Sequence, residues 1–387
     1  MSKTVSILSI SSLSSLGHNS NDVWQSYLSP ETNIRDMEIG GQIVPAATLP
    51  SGIQQEIDVL KQSEHKYAHL DNSVLYAILA SRKAVAVAGW NKDISFGINI
   101  GSSRGATGLF ENHHSEFIAS GKTNVHTSPA TTLGNISSWV AHDLNTSGPD
   151  ISHSITCSTS LHAVLNGIAW LNAGMADKFL AGGSEAPLTP FTIAQMKAMK
   201  IYAAGGDAYP NKSGELSKIK NTLVLGEGAG VACLVAGKAD NALVYIEGFG
   251  YATELLSHGV SLSAEAECLQ KSMRMAIGET PLDEIDAIVM HAPGTIKGDA
   301  AEFTAIQKLF GDKLPLLTTN KWKTGHTFGT SGILSVELAV LMLQHQTFIG
   351  LPFSGKSHVQ PTQLRNILVN AVGFGGNAVS LLIKKVS

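Results

Sequence analysis

Two alternating patterns of apolar and polar positions run along the chain. Short runs rich in Val, Ile and Leu read as buried strands: Val5 to Ile10, Ile94 to Ile100, Phe179 to Ala181, Val231 to Val235, Leu243 to Phe249, Ile285 to Met290, Leu314 to Thr318, Ile367 to Ala371 and Val379 to Ile383. Between several of them, apolar residues recur at helical spacing over Asn72 to Ala88, Ser158 to Ala173, Ala264 to Ala276, Ala300 to Leu309 and Thr330 to Gln344. Strands alternating with helices predict an α/β architecture with sheets covered on both faces. Two polar stretches, near 106–135 and 203–222, carry no such period and are expected to be loops or excursions. The charges within Asn211 to Asn221 are expected to be solvated at the surface.

The pattern also repeats. Ser95 to Gly105 ends a strand in a glycine-rich turn, and Ser154 to Leu161 then opens a helix. Later, Ile285 to His291 ends in Ala292-Pro293-Gly294-Thr295, and Thr319 to His326 leads into another helix. Gly226 to Val235 and Gly373 to Ile383 each close with a glycine-rich turn and a strand. Two similar halves are therefore expected, residues 1–240 and 241–387.

Composition narrows the function classes. The 387 residues are 43% hydrophobic and 15% charged, enough apolar side chain for a large core and too little charge for a disordered polymer. A net charge of −4 without blocks of like charge does not point to nucleic acid or an anionic membrane as partner. No stretch reaches the roughly 18 consecutive apolar residues of a membrane helix. The serine-broken start lacks a secretory leader, so a cytoplasmic location is expected. Cys157, Cys233 and Cys268 lie too far apart for a disulfide framework or a CxxC motif.

Cys157 has a distinctive setting. It precedes a helix whose first turn is Ser158-Thr159-Ser160, where unpaired N–H groups and the positive dipole end favour a thiolate and a lowered pKa. Cys233 and Cys268 read as small buried hydrophobes. His291 and His326 follow strands on loops with Gly and Thr, where catalytic groups concentrate. Cys157, His291 and His326 are metal-compatible ligand types, but no two share a short ligand spacing, so no metal site is expected.

Thr156-Cys157-Ser158-Thr159-Ser160-Leu161-His162-Ala163 resembles the active-site cysteine motif of the β-ketoacyl-acyl carrier protein synthases, the thiolase-fold condensing enzymes. His291 followed by Gly298-Asp299-Ala300-Ala301-Glu302 is similar to their first histidine motif, and Lys321 five residues before His326 in Thr324-Gly325-His326 is similar to their second. Gly373-Phe374-Gly375-Gly376-Asn377 resembles the closing Gly-Phe-Gly-Gly turn, and the four motifs occur in family order. Ala181 to Glu185 and Leu225 to Gly230 add further family-like segments.

The resemblance implies a thiolase-like fold of two similar halves in a layered α-β-α-β-α body, with no cofactor. It implies decarboxylative Claisen condensation of an acyl thioester with a malonyl-acyl carrier protein, in fatty acid or polyketide biosynthesis. Cys157 would accept the acyl group, with the N–H groups of Cys157 and Phe374 as oxyanion hole. His291 and His326 would donate to the malonyl thioester oxygen. Lys321 and Glu302 would form a supporting ion pair beside Asp299, Phe374 with Gly375 and Gly376 would gate the acyl pocket, and Thr295 would contact pantetheine. Pro293 stands where the family usually has a threonine.

An acyl-CoA thiolase would need a second cysteine in the closing turn, and an initiating ketosynthase an asparagine in place of His326. The alternative from a different class is a non-catalytic partner subunit of a ketosynthase heterodimer, which Cys157 argues against. A homodimer is expected, or a heterodimer with a related subunit, and Lys61, Lys66, Arg82 and Lys83 are candidates for docking the acidic carrier.

Overall fold

A computed structural model describes residues 4–90, 95–132, 135–255, 262–354 and 360–386. Among these residues ten strands form the main sheet: β1 (Val5–Leu13), β2 (Gly97–Gly101), β3 (Asp150–Ile151), β4 (Lys178–Glu185), β5 (Gly228–Ala236), β6 (Val244–Thr253), β7 (Ala287–Val289), β8 (Leu316–Thr318), β9 (Asn366–Gly373) and β10 (Asn377–Lys385). Their spatial order is β8-β7-β9-β10-β6-β1-β5-β4-β2-β3.

That order contains one topology twice. In the first half β3, β2 and β4 run parallel, and β5 and then β1 add antiparallel. In the second half β8, β7 and β9 run parallel, and β10 and then β6 add antiparallel. The halves join where β1 pairs antiparallel with β6, Val5 opposite Ile246 and Ile7 opposite Val244.

The helices that matter to the site are α1 (Asn72–Val87), α2 (Thr107–Ser120), α3 (Asn135–Leu144), α4 (Thr159–Asn172), α5 (Pro190–Ala198), α6 (Glu267–Ile277), α7 (Ile296–Phe310) and α8 (Ser331–His345). Side-chain alternation along the strands sorts them into layers. Phe179 and Ala181 of β4 pack into a core with Leu161 and Val164 of α4 and with Ile333 and Leu338 of α8, and Ile367 and Val369 of β9 join the same core. Leu180 of β4 and Val231 of β5 face the other way, onto Val74 and Ile78 of α1 and Val140 of α3. Leu368 of β9 faces Leu269 and Met273 of α6 and Ile306 of α7. Thus α4 and α8 are sandwiched between the sheet halves, while α1 with α3 and α6 with α7 cover the outside. Covered on two sides, α8 buries residues Ser331 through Leu343 and carries no polar stripe.

Two expectations need correction. The stretch 106–135 is not a loop: it holds α2 and a short helix, Thr127–Thr131. Helix α2 buries none of its residues and leaves Phe110, Phe117 and Ile118 exposed, so it has no inward stripe to reveal it in the sequence. Strand β4 does not end at Ala181 but continues to Glu185; a side chain at Gly182 would collide with the Gly230 backbone of β5, and glycine lets the strands pair there. Two helices without a predicted period, Ser20–Leu28 and Ser51–Ser63, precede α1. Ile94, the first residue of one expected strand, lies outside the described residues.

Candidate active site

Cys157 sits just before α4, on a turn that closes on itself: Thr159 Oγ1 donates to Thr156 O at 2.6 Å and accepts from the Ile155 N–H at 2.9 Å. Thr156 adopts φ +47°, Ala292 +30° and Phe328 +41°. Each of these left-handed residues is within two positions of Cys157, His291 or His326, and such backbone persists only where its surroundings hold it in place.

The closing turn meets the cysteine turn. Thr156 Oγ1 donates to Phe374 O at 3.3 Å, and a side chain at Gly373 would strike Thr156 Oγ1 and lie 3.1 Å from the Cys157 nitrogen. Gly375 and Gly376 take φ +91° and +69°, which a side chain there would strain, and the Phe374 ring is 39% exposed at the surface end of this turn.

His291 and His326 arrive from the second half of the chain. Their buried rings stand edge to face with centroids 5.4 Å apart. The Phe328 N–H donates to His326 Nδ1 at 3.0 Å. With Nδ1 accepting, the neutral ring carries its proton on Nε2. Burial, with Lys321 nearby, pulls His326 down to about 3, and the same causes with His326 added push His291 well below the usual histidine range. Both rings are therefore neutral near pH 7 and able to donate one hydrogen bond.

Phe328 links the histidines to the cysteine: its ring lies 5.5 Å from that of His326, and it shares an apolar cluster with Cys157, Leu225, Ile193 and Met196. The position of Cys157 differs from expectation in one respect. Burial, with Glu185 adding to it, pushes the thiol up to about 12, against the opposing charges of Lys321 and Arg104. Desolvation outweighs the helix terminus, so the resting sulfur is a thiol and not a thiolate.

Lys321 and Glu302 do not form the expected ion pair. The Glu302 carboxylate accepts from the N–H groups of His291 at 2.9 Å and Ala292 at 2.7 Å, and from Asn370 Nδ2 at 3.1 Å. Lys321 Nζ is buried without a hydrogen-bond partner among the described residues, and burial lowers it to about 8 although Glu302, Cys157 and Asp299 all act to raise it. Glu302 thus shapes the backbone around His291, and its charge acts on Lys321 without a direct hydrogen bond between them. Thr295 caps α7, its Oγ1 accepting from the Gly298 N–H at 3.1 Å.

The sequence profile described as "Beta-ketoacyl synthase, N-terminal domain" matches residues 2–239, and "Beta-ketoacyl synthase, C-terminal domain" matches residues 244–351. The chain belongs to the β-ketoacyl synthase family. Among curated relatives, the 3-oxoacyl-[acyl-carrier-protein] synthase 2 of Coxiella burnetii is 27% identical, covering 99% of each chain. The protein of the same name from Vibrio harveyi is 28% identical, over 100% of this chain and 99% of the other. Among solved structures, the ishigamide ketosynthase/chain length factor matches with a TM-score of 0.85 at 19% identity over the whole of both chains. A β-ketoacyl synthase from Burkholderia phymatum matches equally well at 20% identity over the whole of both chains. The layered body described above is their thiolase-like fold.

Several residues that build this β-ketoacyl synthase site were not singled out in the sequence. Glu185, at the end of β4, accepts from the N–H groups of Ser103, Arg104 (3.3 Å) and Gly329 (3.0 Å), tying the turn after β2 to the turn after His326. Asn370 interrupts the apolar run of β9, a polar residue at a buried position that had a readable signal. The largest departure is 211–221. Asn211 and Ser213 are buried, and the side chains of Lys218 and Asp299, 3% and 0% exposed, form an ion pair of 2.7 Å. Asp299 also accepts from Gly214 N at 2.8 Å and Gly294 N at 2.9 Å, while Thr222 N donates to Gly294 O at 2.8 Å. The supposed surface loop is a strap over the segment that follows His291.

Because that pair is buried, Lys218→Met leaves Asp299 without its counter-ion and is expected to cost about 3 to 5 kcal/mol. Adding Asp299→Asn should recover part of the loss. Urea unfolding checks this, and an unchanged midpoint in Lys218→Met would contradict it.

Three of the four expected carrier-docking cations hold ion pairs with neighbouring carboxylates. Arg82 grips Asp143 at 2.6 and 2.8 Å, Lys83 contacts Glu56 at 3.4 Å and Lys66 contacts Glu64 at 3.1 Å. Of the four, Lys61 has no ion pair among the described residues. Among those residues no helix is long and apolar enough to cross a membrane.

Proposed function

We propose that the chain catalyses decarboxylative Claisen condensation of an acyl thioester with malonyl-acyl carrier protein. The observation that carries this reading is the convergence of a buried cysteine turn with two neutral histidines 5.4 Å apart and a buried lysine whose Nζ has no hydrogen-bond partner among the described residues. The Cys157 sulfur attacks the acyl thioester carbonyl, and the carrier's pantetheine leaves as a thiol carrying the proton that Cys157 gives up. The N–H groups of Cys157 and Phe374 stabilise the tetrahedral oxyanion, which the contact between their two turns supports.

Malonyl-carrier then enters. Its Cα–carboxylate bond breaks, CO2 departs, and the electron pair becomes an enolate whose oxygen takes hydrogen bonds from His291 and His326. His326 is suited to this because its Nδ1 is occupied and its proton sits on Nε2. The enolate carbon attacks the acyl-Cys157 carbonyl, the new C–C bond forms as the C–S bond breaks, and the released Cys157 thiolate takes a proton from solvent. Lys321 acts as a fixed positive charge toward both anionic stages, the tetrahedral oxyanion at Cys157 and the enolate. Phe374 gates the acyl pocket between its flexible glycines, and Thr295 retains an O–H to offer the pantetheine arm. The acyl carrier protein is thus the protein partner, and the functional unit is a dimer of this chain or a pair with a related subunit.

Lys321 gives the reading a pH signature. With its pKa lowered to about 8, the ammonium is charged below that pH and neutral above it. Malonyl decarboxylation is expected to fall as the pH rises through about 8, at no higher pH in Cys157→Ala, which lacks one of the groups that raise the lysine, and Lys321→Met is expected to be slow and flat across the range. A rate that keeps rising through pH 9 in the lysine-containing protein would contradict this role.

A further inference from the structure

Beside the apolar cluster around Cys157 lies a cation that the mechanism does not use. Arg104 lies on the turn after β2, and its guanidinium carbon sits 5.4 Å above the centre of the Phe328 ring. Phe328 belongs to the same cluster as Cys157, and the charge of Arg104 reaches the thiol and lowers its pKa. The guanidinium therefore lies against one of the side chains packed around Cys157.

Arg104 is half-buried and makes no ion pair among the described residues. The nearby Glu185 carboxylate accepts its backbone N–H, at 3.3 Å. Its side chain donates from Nη2 to Gln195 Oε1 and to Thr192 Oγ1 at 3.3 Å, both neutral groups on α5. A guanidinium has five N–H donors, so these contacts leave donors in excess. Water holds the spare donors of this half-buried cation, and whatever displaces that water must replace its hydrogen bonds.

A saturated acyl chain would strip water from this group and return nothing. A chain carrying a carbonyl or carboxylate oxygen would accept the spare hydrogen bonds, and a site built around a buried polar group rejects the analogue that lacks its partner. We infer that Arg104 is the specificity-determining residue of the acyl pocket, selecting acyl chains that carry a ketone or carboxylate oxygen over saturated chains of equal length. This rests on the reading of Cys157 as the acyl acceptor.

The test acylates the intact protein with N-acetylcysteamine thioesters of hexanoate, 3-oxohexanoate and 5-oxohexanoate and follows adduct formation on Cys157 by mass spectrometry. Wild type is expected to favour at least one oxo chain over hexanoyl by about tenfold or more. Arg104→Met should bring that ratio near unity by gaining rate with hexanoyl, and Arg104→Lys should keep part of it. Equal or faster hexanoylation in wild type, or a ratio unmoved in both variants, would overturn the inference while leaving Cys157 as acyl acceptor. No adduct from any of the three would overturn that reading and the inference with it.

Discussion

Cys157→Ala is expected to lower condensation by about 10⁴-fold or more while leaving malonyl decarboxylation measurable. The asymmetry follows from how the site is divided. The acyl group needs the sulfur, supplied by the turn before α4 in the first half of the chain. The malonyl group needs the two imidazoles, supplied by loops after β7 and β8 in the second half. Removing the sulfur leaves the His291–His326 pair, its 5.4 Å spacing and the Glu302 clamp on the His291 backbone untouched. Carbon dioxide release from malonyl-carrier and chain extension, followed in parallel, separate the two. Condensation at the wild-type rate in the variant would remove Cys157 from the mechanism, and loss of both reactions would mean that the halves of the site are not independent.

The second large effect is the converse. His326→Ala should lower decarboxylation by about 10²- to 10³-fold, the cost of losing one donor aimed at a developing oxyanion. It should spare acyl transfer to Cys157, which uses backbone donors. His326 suits the enolate because the Phe328 N–H occupies Nδ1 and burial prevents protonation, so the ring presents a fixed donor at neutral pH. Single-turnover acylation measured beside decarboxylation checks the prediction. Loss of acylation with decarboxylation intact would assign His326 to the other half-reaction.

The sequence was most informative where burial was most complete. Strands β5, β9 and β10 and helix α8 are covered on both sides, so their apolar runs stood out and their limits came within a few residues. Helix α2 went unseen because none of its residues is fully buried, and the continuation of β4 beyond Ala181 because Gly182 and Gly183 end its apolar run while here glycine permits close strand pairing. At the site, motif spacing pointed to Cys157, His291 and His326. What it did not reveal was electrostatics set by distant segments. Lys218 looks like any loop lysine until the fold places it on Asp299, and Arg104 looks like a turn residue until Phe328 comes to lie beneath it. The helix terminus before Thr159 suggested a thiolate at Cys157, but the depth of burial, invisible in sequence, leaves a thiol.

The measurement that tests the central claim most directly supplies the intact protein with an acyl thioester and malonyl-acyl carrier protein and weighs both proteins by mass spectrometry. The account predicts an acyl adduct on Cys157 that disappears as a β-ketoacyl chain two carbons longer appears on the carrier, with one CO2 released per product. An unmodified Cys157, or carrier extension through an adduct on another residue, would contradict it.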